Sequence, residues 1–182
     1  HPCQALADIL TMYEKKGVLK GLNVVYIGDG NNCANSLLLA CTLMGANFKI
    51  ANPEGYNISD YIMDTAQRYA GESGAEITAA SDVKLVTQNA DVIYTDVWTS
   101  MGQEEESAVR IKAFNDYRIT EQVIGYAKED VLLMHPLPAH HGEELAEGIL
   151  YHRNSVVFDQ AENRMHIQKA LLANMLGGLE IF

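Results

Sequence analysis

Four short runs gather the polar chemistry of this sequence, each directly behind an apolar, β-rich segment. Asp29, Asn31 and Asn32 follow Leu22–Ile27, and Asp96, Ser100 and Met101 follow Val92–Thr95. His135-Pro136-Leu137-Pro138 follows Val131–Met134, and Asp159, Glu162, Asn163 and Arg164 follow Val156–Phe158. An acid placed like Asp96 loses hydration unless it is paired, and a ligand amine is one natural partner. The competing use is an aspartate bonded to neighbouring backbone N–H groups. The amides of Asn31 and Asn32 offer donors and acceptors that suit a zwitterion better than a pyrophosphate, although turn and N-cap chemistry would employ them equally well. Leu137 precedes a proline and is expected to be extended, with a carbonyl that can be aimed at a ligand; the same run also serves as a stiff turn. Gly28-x-Gly30 invites a dinucleotide reading. The third glycine position is Cys33, however, and the second strand ends Ala51-Asn52-Pro53 with no acid for a ribose, so no nicotinamide cofactor is expected. His135, His140 and His141 match no helical ligand pair, and with no acid or cysteine to complete a set no metal is expected.

The elements that must hold these runs alternate between helical and strand periodicity. Pro2 opens a helix with Leu6, Ile9, Leu10 and Tyr13 on one stripe, and Gly17 stops it. Strand Leu22–Ile27 leads to an almost wholly apolar helix over Asn35–Met44 and then to strand Phe48–Ala51. An amphipathic helix over Ser59–Tyr69 precedes strand Glu76–Ala80, and Ser81 is placed to cap a short helix carrying Val83 and Val86. After strand Val92–Thr95, Ser100-x-x-Gln103 has the capping-box pattern for a helix running to about Phe114. Strand Val131–Met134, a short sixth strand Val156–Phe158 and a final helix over Ala161–Leu176 complete the chain. Strand-helix alternation predicts an α/β domain of three layers, a parallel sheet with helices on both faces. Such sheets bind ligands beyond the carboxyl ends of their strands, so the four polar runs fall on one edge and point to a small-molecule site.

Composition bounds the partners. The 182 residues are 48% hydrophobic and 20% charged, enough for one domain with a real core. Lys+Arg total 13 against 24 Asp+Glu, a formal net charge of -11. That balance argues against nucleic acid, whose phosphates need clustered cations, and against an acidic membrane surface. The longest nearly apolar stretch, Leu37–Ala46, is too short to span a bilayer, and no secretory signal opens the sequence. Three cysteines, Cys3, Cys33 and Cys41, form no C-x-x-C pair and point to a cytoplasmic location without a disulfide framework.

Taken together, HPCQ at residues 1–4, GDGNN at 28–32, DVWTSMGQEEE at 96–106, HPLPAHHGEEL at 135–145 and FDQAENR at 158–164 resemble the second, ornithine-binding domain of the ornithine carbamoyltransferases over essentially the whole chain. The resemblance implies a Rossmann-like second domain of a two-domain transferase that joins carbamoyl phosphate and ornithine to give citrulline and phosphate, with no cofactor. By motif it assigns Asn32, Asp96, Ser100 and Met101 to the ornithine head group, and His1, Gln4, Leu137 and Arg164 to carbamoyl phosphate, with Asp96 and Arg164 as the catalytic pair. It also implies a full-length homotrimer or a multiple of trimers. Two departures qualify it. The family's usual H-C-L-P carries proline at Pro136, the form seen in aspartate carbamoyltransferases, and the S-x-R-T-R phosphate-binding segment does not occur. The chain is therefore expected to be an excised or truncated second domain, inactive alone, whose terminal helices 3–16 and 161–176 are struts to a carbamoyl phosphate-binding domain. The alternatives are a noncatalytic amino-acid-binding paralogue, or a carbamoyltransferase acting on putrescine or aspartate.

Overall fold

A computed structural model describes residues 1–100, 102 and 104–177. Five short strands, Asn23–Ile27 (β1), Asn47–Ala51 (β2), Ile77–Ala80 (β3), Val92–Tyr94 (β4) and Leu132–Met134 (β5), form one sheet in the order β3-β2-β1-β4-β5. Every pairing is parallel, and Tyr26 at the centre faces Ile50 on one side and Tyr94 on the other. Alternate residues of each strand enter opposite cores, as the pleat requires. Val24, Tyr26, Val92, Tyr94 and Met134 pack into one, and Val25, Ile27, Ile93 and Leu133 into the other.

The first core is roofed by helices Pro2–Lys16 (α1), Asn32–Leu43 (α2) and Asp60–Ser73 (α3), the second by Val83–Thr87 (α4), Ser107–Phe114 (α5) and Glu121–Ile124 (α6). Helix Val157–Met175 (α7) lies along α1. The three-layer architecture agrees with the sequence expectation. Sheet order reverses at β1: the chain moves outward to β2 and β3, then returns to the other side for β4 and β5, leaving a crevice at the carboxyl ends of β1 and β4.

Several local expectations are corrected. There is no sixth strand at 156–158. Ser155 makes one isolated parallel bridge to Leu133, and α7 begins at Val157, four residues before the expected start. Leu133 already spends its carbonyl on Val156 N–H at 3.0 Å, so the segment is anchored without becoming a strand. Asp82 rather than Ser81 caps α4, accepting from Leu85 N–H at 3.0 Å. A 3₁₀ turn over Glu104–Glu106 leads into α5, and the partner of Ser100 in the expected capping box, Gln103, lies outside the described residues. The expected stripe of α1 is met only in part: Ile9 packs against the first core and Leu10 is half-buried, but Leu6 and Tyr13 are exposed while Gln4, Asp8 and Thr11 are buried. A polar helix face can be buried only where each group finds a partner, and α7 supplies them.

Candidate active site

The site is built from the turn after each central strand. After β1, the chain makes a close approach at Gly30, whose N–H donates to Tyr56 O at 2.9 Å. A Cβ there would lie 2.5 Å from the backbone of Asn57 and Ile58, so only glycine fits. Asn31 then caps α2, its Oδ1 accepting from the N–H groups of Cys33 at 2.9 Å and Ala34 at 3.1 Å. The cap fixes the Asn31 amide, and its Nδ2 donates across to Asp96 Oδ2 at 2.9 Å. Of the two asparagines, Asn31 is thus the scaffold and Asn32 faces the cleft.

Asp96, just beyond β4, also accepts from its neighbour Val97 N–H at 2.8 Å through Oδ1. Burial pushes its carboxyl above the ordinary value, and the Asn31 hydrogen bond offsets only part of this. Among the described residues it has no cation within ion-pair distance. A partly desolvated carboxylate that lines a cleft and has no cation in contact is suited to receive an ammonium group.

The turn after β5 is held from behind. His135 is buried and its Nδ1 accepts from Leu137 N–H at 2.9 Å, which places the ring proton on Nε2, toward Glu144 Oε1 at 3.1 Å. Burial would push Glu144 up, but hydrogen bonds from His135 and from the His140 N–H overcome it and hold the carboxyl below its usual range. Leu137 is not extended, as the following proline suggested. Its φ is 56°, in the left-handed region, and the Leu137–Pro138 bond is cis. The Leu137 N–H committed to His135 and the packing of its side chain in the second core hold that conformation. Among the described residues His140, Glu143 and Glu144 come nearest to a metal-ligating group, with donor atoms within 4.8 Å of one another. Acids do therefore gather beside a histidine here, against the sequence expectation. Glu144 is already shared by His135 and the His140 backbone, which makes the group a brace for the turn.

These turns enclose a cleft of about 640 Å³. It is lined by Asn32, Asp96, Ser100, Pro136 and Leu137, together with His1, Thr99 and His140. Six of the predicted site residues are thus brought together. Gln4 and Arg164 are not among the lining residues. They meet each other in the seam between α1 and α7, where Arg164 Nη1 donates to Gln4 Oε1 at 2.9 Å. Met101 lies outside the described residues.

Sequence reasoning missed Arg110. It is 6% exposed and ties three segments of the rim together: Asp29 Oδ2 at 2.7 Å, Trp98 O at 3.0 Å and Glu106 Oε2 at 3.1 Å. Burial works against its charge, but Asp29 and Glu106 more than compensate and raise its pKa. The i,i+4 spacing of Glu106 and Arg110 was visible; the link to Asp29, 81 residues away, was not.

A parallel sheet with a cleft at its switch point, apolar walls carrying a few polar groups, defines an α/β domain of the small-molecule-binding class. The model for the aspartate/ornithine carbamoyltransferase, Asp/Orn binding domain, matches residues 20–175, and the chain belongs to that family. It is 49% identical over 180 residues to the anabolic ornithine carbamoyltransferase of Pyrococcus furiosus, covering 99% of this chain and 57% of the relative. The ornithine carbamoyltransferase of Bacillus subtilis is also 49% identical, over 97% of this chain and 55% of its own length. The solved structure of the Pyrococcus furiosus ornithine carbamoyltransferase superposes with a TM-score of 0.94 over 99% of this chain and 57% of that one. The chain thus spans somewhat more than half the length of the relatives it matches.

Proposed function

We propose that this chain is the ornithine-binding half of an enzyme that transfers the carbamoyl group of carbamoyl phosphate to the δ-amine of ornithine, giving citrulline and phosphate. The observation that carries the reading is the convergence of Asn32, Asp96 and Ser100 on one cleft beside Leu137, in a chain 49% identical to named ornithine carbamoyltransferases along its length. Asp96 pairs with the α-ammonium, and Asn32, Ser100 and Met101 hold the rest of the amino-acid head. His1, Gln4, Arg164 and the Leu137 carbonyl serve carbamoyl phosphate. The bond from Arg164 to Gln4 uses one of five guanidinium N–H donors, so the same side chain can also serve the carbamoyl oxygen.

In the reaction the δ-ammonium first loses a proton. Its lone pair attacks the carbamoyl carbon, and negative charge on the carbonyl oxygen is stabilised by Arg164. The bond from that carbon to the phosphate oxygen breaks, the electron pair leaves with phosphate, and phosphate accepts one of the two protons on the attacking nitrogen, the other staying as the N–H of citrulline. Holding the two small molecules in line supplies several kcal/mol of the acceleration. No metal or organic cofactor is required. Pro136 has no ionisable group, so no thiolate takes part at that position.

The full-length protein is read as a trimer or a multiple of trimers. Leu6, Tyr13, Met165 and Leu172 are exposed on α1 and α7, which supports their role as struts against a carbamoyl phosphate-binding domain outside these 182 residues. The anabolic name of the Pyrococcus relative supports a place in arginine biosynthesis, and three free cysteines support a cytoplasmic setting. Among the described residues no helix is long and apolar enough to cross a membrane. The test is a citrulline assay on the full-length protein and on the 182-residue chain. Citrulline from the former alone, with ornithine preferred over aspartate and putrescine, is expected. Turnover by the isolated chain, or preference for another acceptor, overturns the reading.

A further inference from the structure

Asp8 is a fully buried carboxylate with no cation in contact among the described residues, in the middle of α1 where an apolar residue would ordinarily pack. Its Oδ1 accepts from Gln4 Nε2 at 2.8 Å and from Gln160 Nε2 at 2.7 Å, and its Oδ2 from the Tyr94 hydroxyl at 3.0 Å. A carboxylate has only acceptors, so both glutamine amides must turn their NH₂ groups inward and their carbonyls outward. The two carbonyls then do separate work. Gln4 Oε1 receives the Arg164 guanidinium at 2.9 Å, and Gln160 Oε1 receives the His135 backbone N–H at 2.9 Å, where the turn carrying Leu137 begins.

We propose that Asp8 is a positioning residue for carbamoyl phosphate, one that never touches the substrate but sets, through two glutamine amides, the direction of Arg164 and the seat of the Leu137 turn. The inference rests on the reading that Gln4, Arg164 and Leu137 meet carbamoyl phosphate. It assigns a task to a residue that lies outside every motif contact to substrate.

The device works in both protonation states of Asp8. Burial pushes its pKa up to about 7, so charged and neutral forms coexist near neutrality. Facing it are Tyr94 from β4, Cys33 and Cys41 from α2 and Arg164 from α7. A proton on Oδ2 can be given to the Tyr94 oxygen while the phenol turns its own hydrogen toward Cys33 Sγ, 3.4 Å away. Oδ1 continues to accept both amides. Asparagine mimics this neutral form, with its oxygen at the Oδ1 position and its NH₂ toward Tyr94. Leucine fills much of the space and accepts nothing.

The experiment compares wild type, Asp8→Asn and Asp8→Leu in the full-length protein, with carbamoyl phosphate and ornithine varied in turn. Asp8→Leu is expected to raise the carbamoyl phosphate KM by about tenfold or more while leaving the ornithine KM within about twofold, since a misdirected charged donor is lost on one substrate only. Asp8→Asn is expected to restore the carbamoyl phosphate KM to within about threefold of wild type. If Asp8→Leu does not fold, Asp8→Ser, which leaves room for a water, takes its place. A purely structural role would lower thermal stability and leave the two KM values moving together; that result, or equal losses in the Asn and Leu variants, overturns the proposal. An independent readout is the side-chain amide NMR signals of Gln4 and Gln160 in the 182-residue chain. They should be fixed in wild type and Asp8→Asn and averaged in Asp8→Leu. Fixed signals in Asp8→Leu sink the positioning role whatever the acceptor substrate proves to be, whereas failure of wild type to make citrulline sinks only the reading on which it rests.

Discussion

The buried carboxyl of Asp8 makes a sharp statement about stability and pH. In the unfolded chain it releases its proton near the ordinary value of 3.8, and in the folded protein it holds the proton up to about 7. Between those limits the native state binds more protons than the unfolded state, so the free energy of unfolding falls as pH rises. The contribution is fully present below about pH 4 and lost once pH has passed 7. A shift of about three units corresponds to roughly 4 kcal/mol for this one group. Asp8→Asn removes the titration and keeps the hydrogen bonds, so other carboxylates cancel in the comparison. Urea unfolding of both chains from pH 4 to 8 gives the difference directly. Wild type should lose about 4 kcal/mol relative to Asp8→Asn between pH 4 and 7.5, then level off. A difference that stays flat to within about 0.5 kcal/mol would mean that three hydrogen bonds fully offset burial, and the reasoning from desolvation would be wrong.

Other perturbations test the rim of the cleft. Asp96→Asn in the full-length protein should weaken ornithine in both KM and kcat, by about 2–5 kcal/mol for the loss of a desolvated counter-charge, with carbamoyl phosphate little affected; steady-state kinetics within about twofold of wild type would make Asp96 a turn residue. The same change sets an amide NH₂ against one of two donors, Asn31 Nδ2 or Val97 N–H, so calorimetry should also register a loss of about 1 kcal/mol. Arg110→Met leaves the Asp29 carboxylate, 12% exposed, without its partner and should cost about 3–5 kcal/mol in urea unfolding. Gly30→Ala forces a methyl group against backbone 2.5 Å away, and the thermal midpoint should fall by more than any surface substitution would lower it.

Apolar runs made the strands legible, most plainly at β4 and β5 and over Val24–Ile27 of β1, which are buried throughout, and less so at β2 with Lys49 and the edge strand β3 with Thr78. The same reasoning misread Val156–Phe158. Three apolar residues there fit a strand or a helix start equally well, and only the pairing of Leu133 with Ser155 decides between them. The cleft was legible because strand ends are local in sequence. Leu137 was not, since its left-handed backbone depends on the His135 ring and on the second core rather than on the proline alone. Least visible was the seam of α1. Gln4, Asp8 and Thr11 look like a solvated stripe until Gln160 and Asn163, about 150 positions later, come to meet them.

That seam also sets a schedule. Asp8 bonds to Gln160 across 152 residues, and Gln4 to Arg164 across 160. At a synthesis rate of about 5–20 residues per second, α1 leaves the ribosome roughly 8–30 s before α7 exists to cover it. During that interval α2 can shelter one side of α1, but the side awaiting α7 stands in water. Were it apolar, it would be an adhesive surface on every nascent chain. Written in glutamine, aspartate and threonine, it stays hydrated while it waits, and the contacts that join α1 to α7 can form only once α7 has been translated.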